Sequence, residues 1–277
     1  MSFIAIIGAG NLGGTLAHTL ALDDRVGEIR LIDSEERIAA GKALDIRQSS
    51  PIEGFATVVG STGSLAGAAG AAAIVLADAA AGSGEYVGEE GLALLRRVNA
   101  VEAAAPIVCA GALQRELIAR AISELHIPQA RIAGSAPLAL ESALRALAGL
   151  SLDASGVPIA LSVVGVPPHN AVVAWEEASI SGQPLAAHLP AHTIAALNSR
   201  IPGLWPPGFY SLASAAARVI EAIVTGSRQR YSCFVGAARG QVAAMPVVLG
   251  PDGVGRVIEP VLTRQERTRL ENGLEKF

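Results

Sequence analysis

Three glycines near the amino terminus have the spacing of a phosphate-binding loop. Gly8, Gly10 and Gly13 fit the pattern G-x-G-x-x-G, with Asn11 and Leu12 between the last two. The apolar run FIAII precedes them and a helical pattern follows, which is the context that makes this pattern informative. Gly8 would permit a tight turn, Gly10 the close approach of a pyrophosphate, and Gly13 the close packing of helix on strand. We expect these five residues to bind a dinucleotide at a helix N-terminus.

An acidic residue ends the next apolar run. Asp33 follows EIRLI and lies 20 residues after Gly13, where a carboxylate would accept hydrogen bonds from the adenosine ribose. A carboxylate there repels a 2′-phosphate, and Ser34 rather than an arginine follows it, so the sequence favours NAD over NADP. The alternative is a glycine turn that serves packing alone.

Three further side chains are candidates for acid or base chemistry. His169 follows two prolines after the apolar run VVGV, and Glu141 lies in a helical pattern where its carboxylate could orient an imidazole. Asp78 directly follows a strand pattern, where it either makes a polar contact in the cofactor cleft or caps a turn. The structural alternative for His169 is a loop histidine. We expect no metal site, because Pro190 in HLPAH disfavours the helical face that a zinc pair would use.

Strand and helix patterns alternate over the first half of the chain. The apolar runs are FIAII, EIRLI, ATVVGS, AAAIVLA, PIVCAG and ARIAGSA, and a helical stretch follows the first, second, fourth and fifth of them. This alternation predicts an α/β fold with a Rossmann doubly wound parallel sheet over residues 1–136. Ligands bind such a sheet at the carboxyl ends of its strands. The glycine pattern, Asp33 and Asp78 are all predicted to lie there.

The second half, residues 137–277, has a different pattern. LALESALRALAGL and SLASAAARVIEAIV are helical, and PIALSVVG and VVAWEEASISGQPL are predicted to be strands joined by the PPHN loop. The glycine-punctuated run from YSCFVG to VIEPVL is typical of antiparallel strands, and TRQERTRLENGLEKF of a closing helix. We therefore expect a smaller α+β domain with antiparallel strands.

Composition narrows the class of partner. With 21 basic and 25 acidic residues the net charge is −4, and no block of like charge would attract nucleic acid or an anionic membrane. No run is apolar enough for a membrane span, and the first residues lack the features of a signal peptide. Two distant cysteines, Cys109 and Cys233, are typical of a reduced cytoplasmic protein. The expected ligand is a small molecule.

Several of these motifs together resemble the lactate/malate dehydrogenase family, and its malate dehydrogenase branch in particular. The likeness lies in IAIIGAGNLGGTLAHTLA, LID and GKALDIRQSSPIEGF, and later in SISGQPL and MPVVLGPDGVGRVIEPVLTRQE. Members of this family pass a hydride between a hydroxy acid and NAD. The resemblance implies the same fold, NAD as the cofactor, and a homodimer or homotetramer.

The resemblance is weakest where the family keeps its chemistry. Its members use a histidine, oriented by an aspartate, to take the hydroxyl proton. Counted back from SGQPL, the histidine position falls on Pro167, and His169 takes the place of an aspartate two residues later. Glu141 stands for the orienting aspartate, and Leu144 for the arginine that binds the substrate carboxylate. Arg145 is one position further on and points about 100° away on a helix.

The loop that brings arginines over the substrate in this family resembles ADAAAGSGEYVGEE. This stretch contains no arginine or lysine, and its Glu85, Glu89 and Glu90 would repel a dicarboxylate. The asparagine-proline pair of the family corresponds to Ala110 and Gly111. The resemblance thus implies a preserved cofactor motif without the catalytic histidine and the substrate-binding arginines.

Three functions remain open at this point. The first is an NAD-binding relative of these dehydrogenases that is not competent on malate or lactate. The second is an NAD-dependent oxidoreductase for a less charged hydroxy or carbonyl compound, with His169, Glu141 or Asp78 transferring the proton. The third is a non-catalytic NAD-sensing or regulatory protein. Hydrogen-bond reach between His169 and Glu141 would favour the second function.

Overall fold

One sheet of eleven strands runs through both halves of the chain over the residues that the computed structural model describes, which are 2–82, 84–153, 156–237 and 240–275. Its first six strands pair in parallel in the order β3-β2-β1-β4-β5-β6, which is the doubly wound Rossmann order. The predicted fold class is confirmed. These strands are β1 (Phe3–Ile7), β2 (Glu28–Ile32), β3 (Val58–Thr62), β4 (Ala73–Leu76), β5 (Ile107–Cys109) and β6 (Ile132–Gly134).

Four helices of the first half pack on this parallel sheet. Leu12, Leu16 and Leu20 are buried at successive turns of the first helix, because a spacing of four residues keeps side chains on one helix face. The strands are apolar along their length since helices cover them. The helices are α1 (Asn11–Asp23), α2 (Glu36–Glu53), α3 (Gly88–Val101) and α4 (Arg115–Glu124).

The second half extends the sheet with antiparallel strands. Phe234 pairs with Gly134 at the edge of the parallel part, and the order continues β12-β13-β8-β9, with β14 beside β13. A separate sheet has the order β11-β10-β7. The elements are α5 (Ala136–Ser151), β7 (Ile159–Ala160), β8 (Val163–Val166), β9 (Asn170–Val173), β10 (Ser179–Ile180), β11 (Gln183–Pro184), α6 (Ala191–Arg200), α7 (Phe209–Thr225), β12 (Arg230–Gly236), β13 (Val242–Gly250), β14 (Gly253–Val257) and α8 (Arg264–Glu275).

Two of the predicted strands of the second half are interrupted. PIALSVVG forms β7 and β8, because the first pairs with β10 in the small sheet and the second with β9 and β13 in the large one. VVAWEEASISGQPL is not one strand either. A 3₁₀ turn at Trp175–Glu177 separates β9 from β10, and the buried Trp175 indole donates a hydrogen bond to Asn198 Oδ1 at 3.0 Å.

The apolar core has two parts. The larger part surrounds the parallel sheet, and the smaller one includes Leu140, Leu144, Trp175 and Leu197 of the second half. The division into residues 1–136 and 137–277 stays a prediction, since the large sheet continues across it. Among the described residues, no helix combines the length and the apolar character needed to cross a bilayer.

Candidate functional site

The glycine loop, residues 8–13, connects β1 to α1 at the carboxyl edge of the parallel sheet. Gly8 has φ +101°, which favours glycine. A Cβ built on Gly13 would lie 2.0 Å from the carbonyl oxygen of Gly8, and one built on Gly10 would lie 2.3 Å from the Asp78 carboxylate. Backbone atoms therefore require glycine at positions 8 and 13, whereas at position 10 it is the Asp78 side chain that leaves no room for a Cβ.

Asp33 lies beside this loop at the end of β2 and is buried. Its Oδ2 accepts hydrogen bonds from the amides of Ala9 at 2.8 Å and Ala80 at 2.9 Å. Its Oδ1 accepts one from the amide of Glu35 at 2.9 Å. The residue predicted to bind a ribose is thus at the carboxyl edge of the sheet, with its carboxylate oriented by three backbone amides.

Asp78 follows β4 and faces the start of α1. Its carboxylate accepts hydrogen bonds from the amide of Leu12 at 3.1 Å and of Gly13 at 2.9 Å. Gly10, at the N-cap position of α1, has no side chain to bind these amides, so Asp78 caps the helix from another strand. The negative charge is also favourable at this end of a helix.

A short segment that includes Asp78 connects β4 to α3 at the carboxyl edge of the parallel sheet. We define the cleft segment as residues 77–82 and 84–86. An isolated antiparallel bridge joins Asp78 to Glu85 within it. The Glu85 carboxylate accepts hydrogen bonds from the amides of Ala112 at 2.8 Å and Leu113 at 2.7 Å, and burial raises its pKa.

Gln114 holds both ends of the cleft segment. Its Nε2 donates to the carbonyl oxygens of Ala77 and Tyr86, each at 3.3 Å, and its Oε1 accepts from the amide of Gly111 at 2.8 Å. Gln114 is fully buried. No local pattern in the sequence indicates Gln114 or the contacts of Glu85, because their partners lie on backbone that only the fold brings near.

A cavity of about 260 Å³ lies next to Asp33. It is bounded by the ends of β2 and β3 and by α3, and Ser34, Tyr86 and Arg97 are among its lining residues. Burial raises the pKa of Tyr86 to about 12, so its hydroxyl remains a hydrogen-bond donor. If Asp33 binds a ribose, as predicted, the adenosine end of a dinucleotide would lie in this cavity.

The structure does not bring the predicted acid/base pair together. His169 is exposed in the turn between β8 and β9, whereas Glu141 is 1% exposed inside the second half. Over the part of the chain that the structure describes, no hydrogen bond or ion pair joins the two. Glu141 instead pairs with Arg145. Burial raises the pKa of Glu141, while Arg145 and hydrogen bonds from Ser232 lower it.

Arg145 lines a second cavity, of about 470 Å³, between α5, α7 and the start of β12. Arg218 and Arg230 line it as well. Each of these three arginines already pairs with a carboxylate of the chain, namely Glu141, Glu221 and Glu177 respectively. The i, i+4 spacing of Glu141 and Arg145 is the sequence signal that could have identified the first pair.

The remaining predicted positions are apolar or lack acid/base partners. Pro167 is buried at the end of β8, and Leu144 is fully buried in the smaller core. Ala110 and Gly111 follow β5, where Gly111 donates to Gln114. Within the described ranges, no group of three or more His, Cys, Asp or Glu side chains could hold a metal ion.

Comparison with known proteins gives relatives along nearly the whole chain. The malate dehydrogenase of Thermomicrobium roseum is 28% identical over 300 residues, which cover 96% of this chain and 93% of the relative. That of Dehalococcoides mccartyi is 27% identical, covering 99% of this chain and 96% of the relative. No protein-family model matches the chain.

Solved structures show the same fold. The malate dehydrogenase of Aeropyrum pernix superposes with a TM-score of 0.88 at 20% identity, covering 99% of this chain and 95% of that one. A lactate dehydrogenase from Cryptosporidium parvum, solved with lactic acid and nicotinamide adenine dinucleotide, gives 0.84 at 20% identity, with coverage of 99% and 95%.

The six-stranded parallel sheet, the glycine loop and the acidic residue after β2 define the doubly wound Rossmann class of fold. The sequence relatives and the shared fold of the second half narrow this class further. These relatives and the shared fold support the lactate/malate dehydrogenase family for this chain.

Proposed function

We propose that this protein binds NAD(H) in its Rossmann half and is not a competent malate or lactate dehydrogenase. The observation that carries the first part is the position of Asp33 beside the glycine loop, next to a cavity of about 260 Å³. The fold that the chain shares with a lactate dehydrogenase solved with this dinucleotide supports the same ligand. Since Asp33 ends β2, NADH is preferred over NADPH.

The residues present fit a dinucleotide in part. Gly8, Gly10 and Gly13 allow the tight loop of this motif, and the amides of Leu12 and Gly13 point to one place at the start of α1. These residues, with Asn11, would hold the pyrophosphate, and Asp33 the adenosine ribose. When bound, NAD accepts or donates a hydride. The Asp78 carboxylate must leave the two amides before a phosphate can take its place.

The second part of the proposal rests on what surrounds the cleft. Pro167 cannot exchange a proton, and the fully buried Leu144 offers no charge to a substrate carboxylate. The cleft segment contains acidic but no basic side chains. Arg145, the arginine closest in sequence to the substrate-binding position, is paired with Glu141. A hydroxy acid would therefore meet carboxylates without the guanidinium groups that bind it in this family.

The test is a calorimetric titration with NADH and with NADPH, alongside assays of malate and lactate oxidation. We expect saturable NADH binding, weaker NADPH binding and no turnover. Asp33→Asn should weaken NADH binding at least about tenfold, because a neutral side chain accepts weaker hydrogen bonds from ribose hydroxyls. Asp252→Asn, in the exposed turn between β13 and β14, is the matched control. If no variant bound NADH, the first part of the proposal would be rejected. Turnover of malate or lactate would reject the second part.

An NAD-sensing role is a second candidate, which the cleft segment favours. The segment is held by Asp33, Gln114 and the amides after β5, so a ligand at Asp33 would compete with one of its contacts. We expect NADH to change the rate at which a protease cuts the wild-type chain within residues 77–86. An unchanged cleavage pattern at saturating NADH would count against sensing.

We also propose a cytoplasmic homodimer or homotetramer. α2 and α7 leave large apolar side chains exposed, with Ile52 at 84% and Tyr210 at 81%, and such side chains are typical of subunit contacts. Cys109 and Cys233 are both unpaired and buried, which suits a reducing compartment. Sedimentation of wild type and of a Tyr210→Glu variant tests the assembly. A wild-type monomer at micromolar concentration would contradict it.

A further inference from the structure

The donors at the start of α1 are already used by the chain itself. Asp78 is 8% exposed, and each of its two carboxylate oxygens accepts one amide hydrogen bond, from Leu12 and from Gly13. In a Rossmann fold these amides are the donors for a pyrophosphate. The anion at this position is therefore part of the chain itself, namely the Asp78 carboxylate near the carboxyl end of β4.

The same carboxylate fills the space that Gly10 leaves open. A Cβ on Gly10 would lie 2.3 to 2.6 Å from the three carboxylate atoms of Asp78. Glycine at this position usually admits a phosphate close to the backbone. Here the close approach is made by Asp78, so a pyrophosphate and this side chain cannot occupy the loop together.

Asp78 is held in this position from both sides. On one side, the amide of Ala80 donates to Asp33, the residue predicted to bind the ribose. On the other side, the bridge to Glu85 and the Gln114 contacts fix the rest of the cleft segment. The carboxylate is thus part of a connected set of hydrogen bonds.

We propose that Asp78 is an internal anion that occupies the pyrophosphate position of the glycine loop, so that NAD(H) binds only when Asp78 withdraws. This inference rests on the proposed function. A phosphate and a carboxylate compete for the same two amides and repel each other. The apparent dissociation constant is the intrinsic one divided by the fraction of molecules in which Asp78 has left. Asp78 thereby lowers the affinity for the cofactor.

The experiment compares wild type, Asp78→Ala and Asp78→Asn by calorimetry with two ligands, NADH and inorganic pyrophosphate. Asp78→Ala removes the competing carboxylate, whereas Asp78→Asn keeps the volume and removes the charge. Asp252→Ala is the control for the loss of one negative charge elsewhere. We expect Asp78→Ala to bind both ligands at least about tenfold more tightly than wild type does, because no carboxylate then competes for the amides of Leu12 and Gly13. Asp78→Asn should lie between them, and the control should match wild type.

The two ligands separate this inference from the proposed function. Tighter pyrophosphate binding by Asp78→Ala, with no NADH binding by any variant, would support the internal anion and reject NAD as the ligand. Equal affinity of wild type and Asp78→Ala for both ligands would overturn the internal anion and leave NAD binding intact. No binding of either ligand by any variant would overturn both.

A further variant keeps the inference testable if the Asp78 variants do not fold. Gln114→Ala removes the hydrogen bonds to Ala77 and Tyr86 without touching the glycine loop. Because it loosens the cleft segment, it should also bind NADH and pyrophosphate more tightly than wild type does. An affinity equal to that of wild type, in a variant with an unchanged circular dichroism spectrum, would overturn the internal anion.

Discussion

The two halves of the molecule each contain buried or half-buried carboxylates, and these are neutralised in different ways. In the first half, Asp33, Asp78 and Glu85 accept hydrogen bonds from backbone amides. In the second half, Glu141 pairs with the guanidinium group of Arg145. Amides fixed in a loop can bind any anion that fits, whereas a paired arginine is neutralised by one particular partner. The first half thus retains the means to bind an anionic ligand once its own carboxylates move.

The largest expected effect comes from a substitution in the glycine loop, which carries the backbone amides of the first half. Gly13→Ala would place a Cβ 2.0 Å from the carbonyl oxygen of Gly8, and backbone cannot yield as a side chain can. We expect a loss of about 3 kcal/mol in the free energy of unfolding, measured by chemical denaturation.

Gly14→Ala is the matched control in the same helix turn. Its Cβ would meet Lys42 Cδ at 3.0 Å, part of a flexible side chain that can shift. The free energy of unfolding should stay within about 1 kcal/mol of wild type, with a helix-propensity gain offsetting the contact. Equal effects of the two substitutions would show that the loop is not sterically confined.

Removing Arg145, which pairs with Glu141 in the second half, gives the next largest effect. Arg145→Ala leaves the Glu141 carboxylate buried without its partner, and we expect a loss of about 2 kcal/mol in the free energy of unfolding, below the value for fully buried pairs because Arg145 is partly exposed. Glu141→Gln in the same chain should restore most of it. Arg256→Ala, at an exposed position on β14, is the control.

The free energy of unfolding of Arg145→Ala should depend on pH with a definite sign. Burial raises the pKa of Glu141, and Arg145 lowers it, so removing Arg145 raises the pKa further. A raised pKa means that the folded state binds the proton more tightly than the unfolded chain does. Stability is therefore lost as the pH rises from 4.5 through the folded pKa. If the free energy of unfolding of Arg145→Ala changed with pH over this range as that of wild type does, the coupling between Arg145 and Glu141 would be refuted.

Glu85→Gln sharpens the comparison with a smaller effect. Its carboxylate binds two amides, yet burial raises its pKa, so ionisation costs stability as the pH rises above the ordinary glutamate value. The amide variant loses one good acceptor, about 0.5 kcal/mol at low pH, and this deficit should narrow as the pH rises. Chemical denaturation from pH 4 to pH 7 measures it. A deficit that widens would contradict the sign.

The smallest effect concerns the two thiols, one in each half. Burial raises the pKa of Cys109 to about 12 and raises that of Cys233 as well. Since the thiolate is the reactive form, we expect no alkylation of either residue by iodoacetamide in the folded protein at pH 8. Both should react in denaturant, as mass spectrometry would show. Rapid alkylation of folded protein would place a thiol in an open cleft.

Local patterns in the sequence predicted most of the first half. The glycine pattern, Asp33 and the six parallel strands depend on neighbouring residues and on a repeated strand-helix period, so they could be inferred before the fold was known. The split between β7 and β8 could not, because it arises from pairing with two different sheets. The helix α6 was not predicted, and its first residue follows Pro190.

The contacts of the candidate site were much less predictable. Asp78 reaches the amide of Leu12, which lies 66 residues away in sequence, and the composition of neither segment reveals the match. An acidic residue two positions after β4, in a chain with a glycine loop, is the one sequence signal for this contact. For His169 the sequence indicated a turn but not its distance from Glu141, which depends on how β8 and α5 pack.

The pairing of Gly134 with Phe234 has a consequence for how the chain folds as it is synthesised. The edge of β6 receives its neighbour from a strand 100 residues later. Contacts over so long a stretch of chain form slowly. Until β12 is made, the growing polypeptide displays an unpaired strand edge, which invites association with other chains. Pairing with β12, in the last quarter of the sequence, therefore closes a strand edge that stays open to other chains during synthesis.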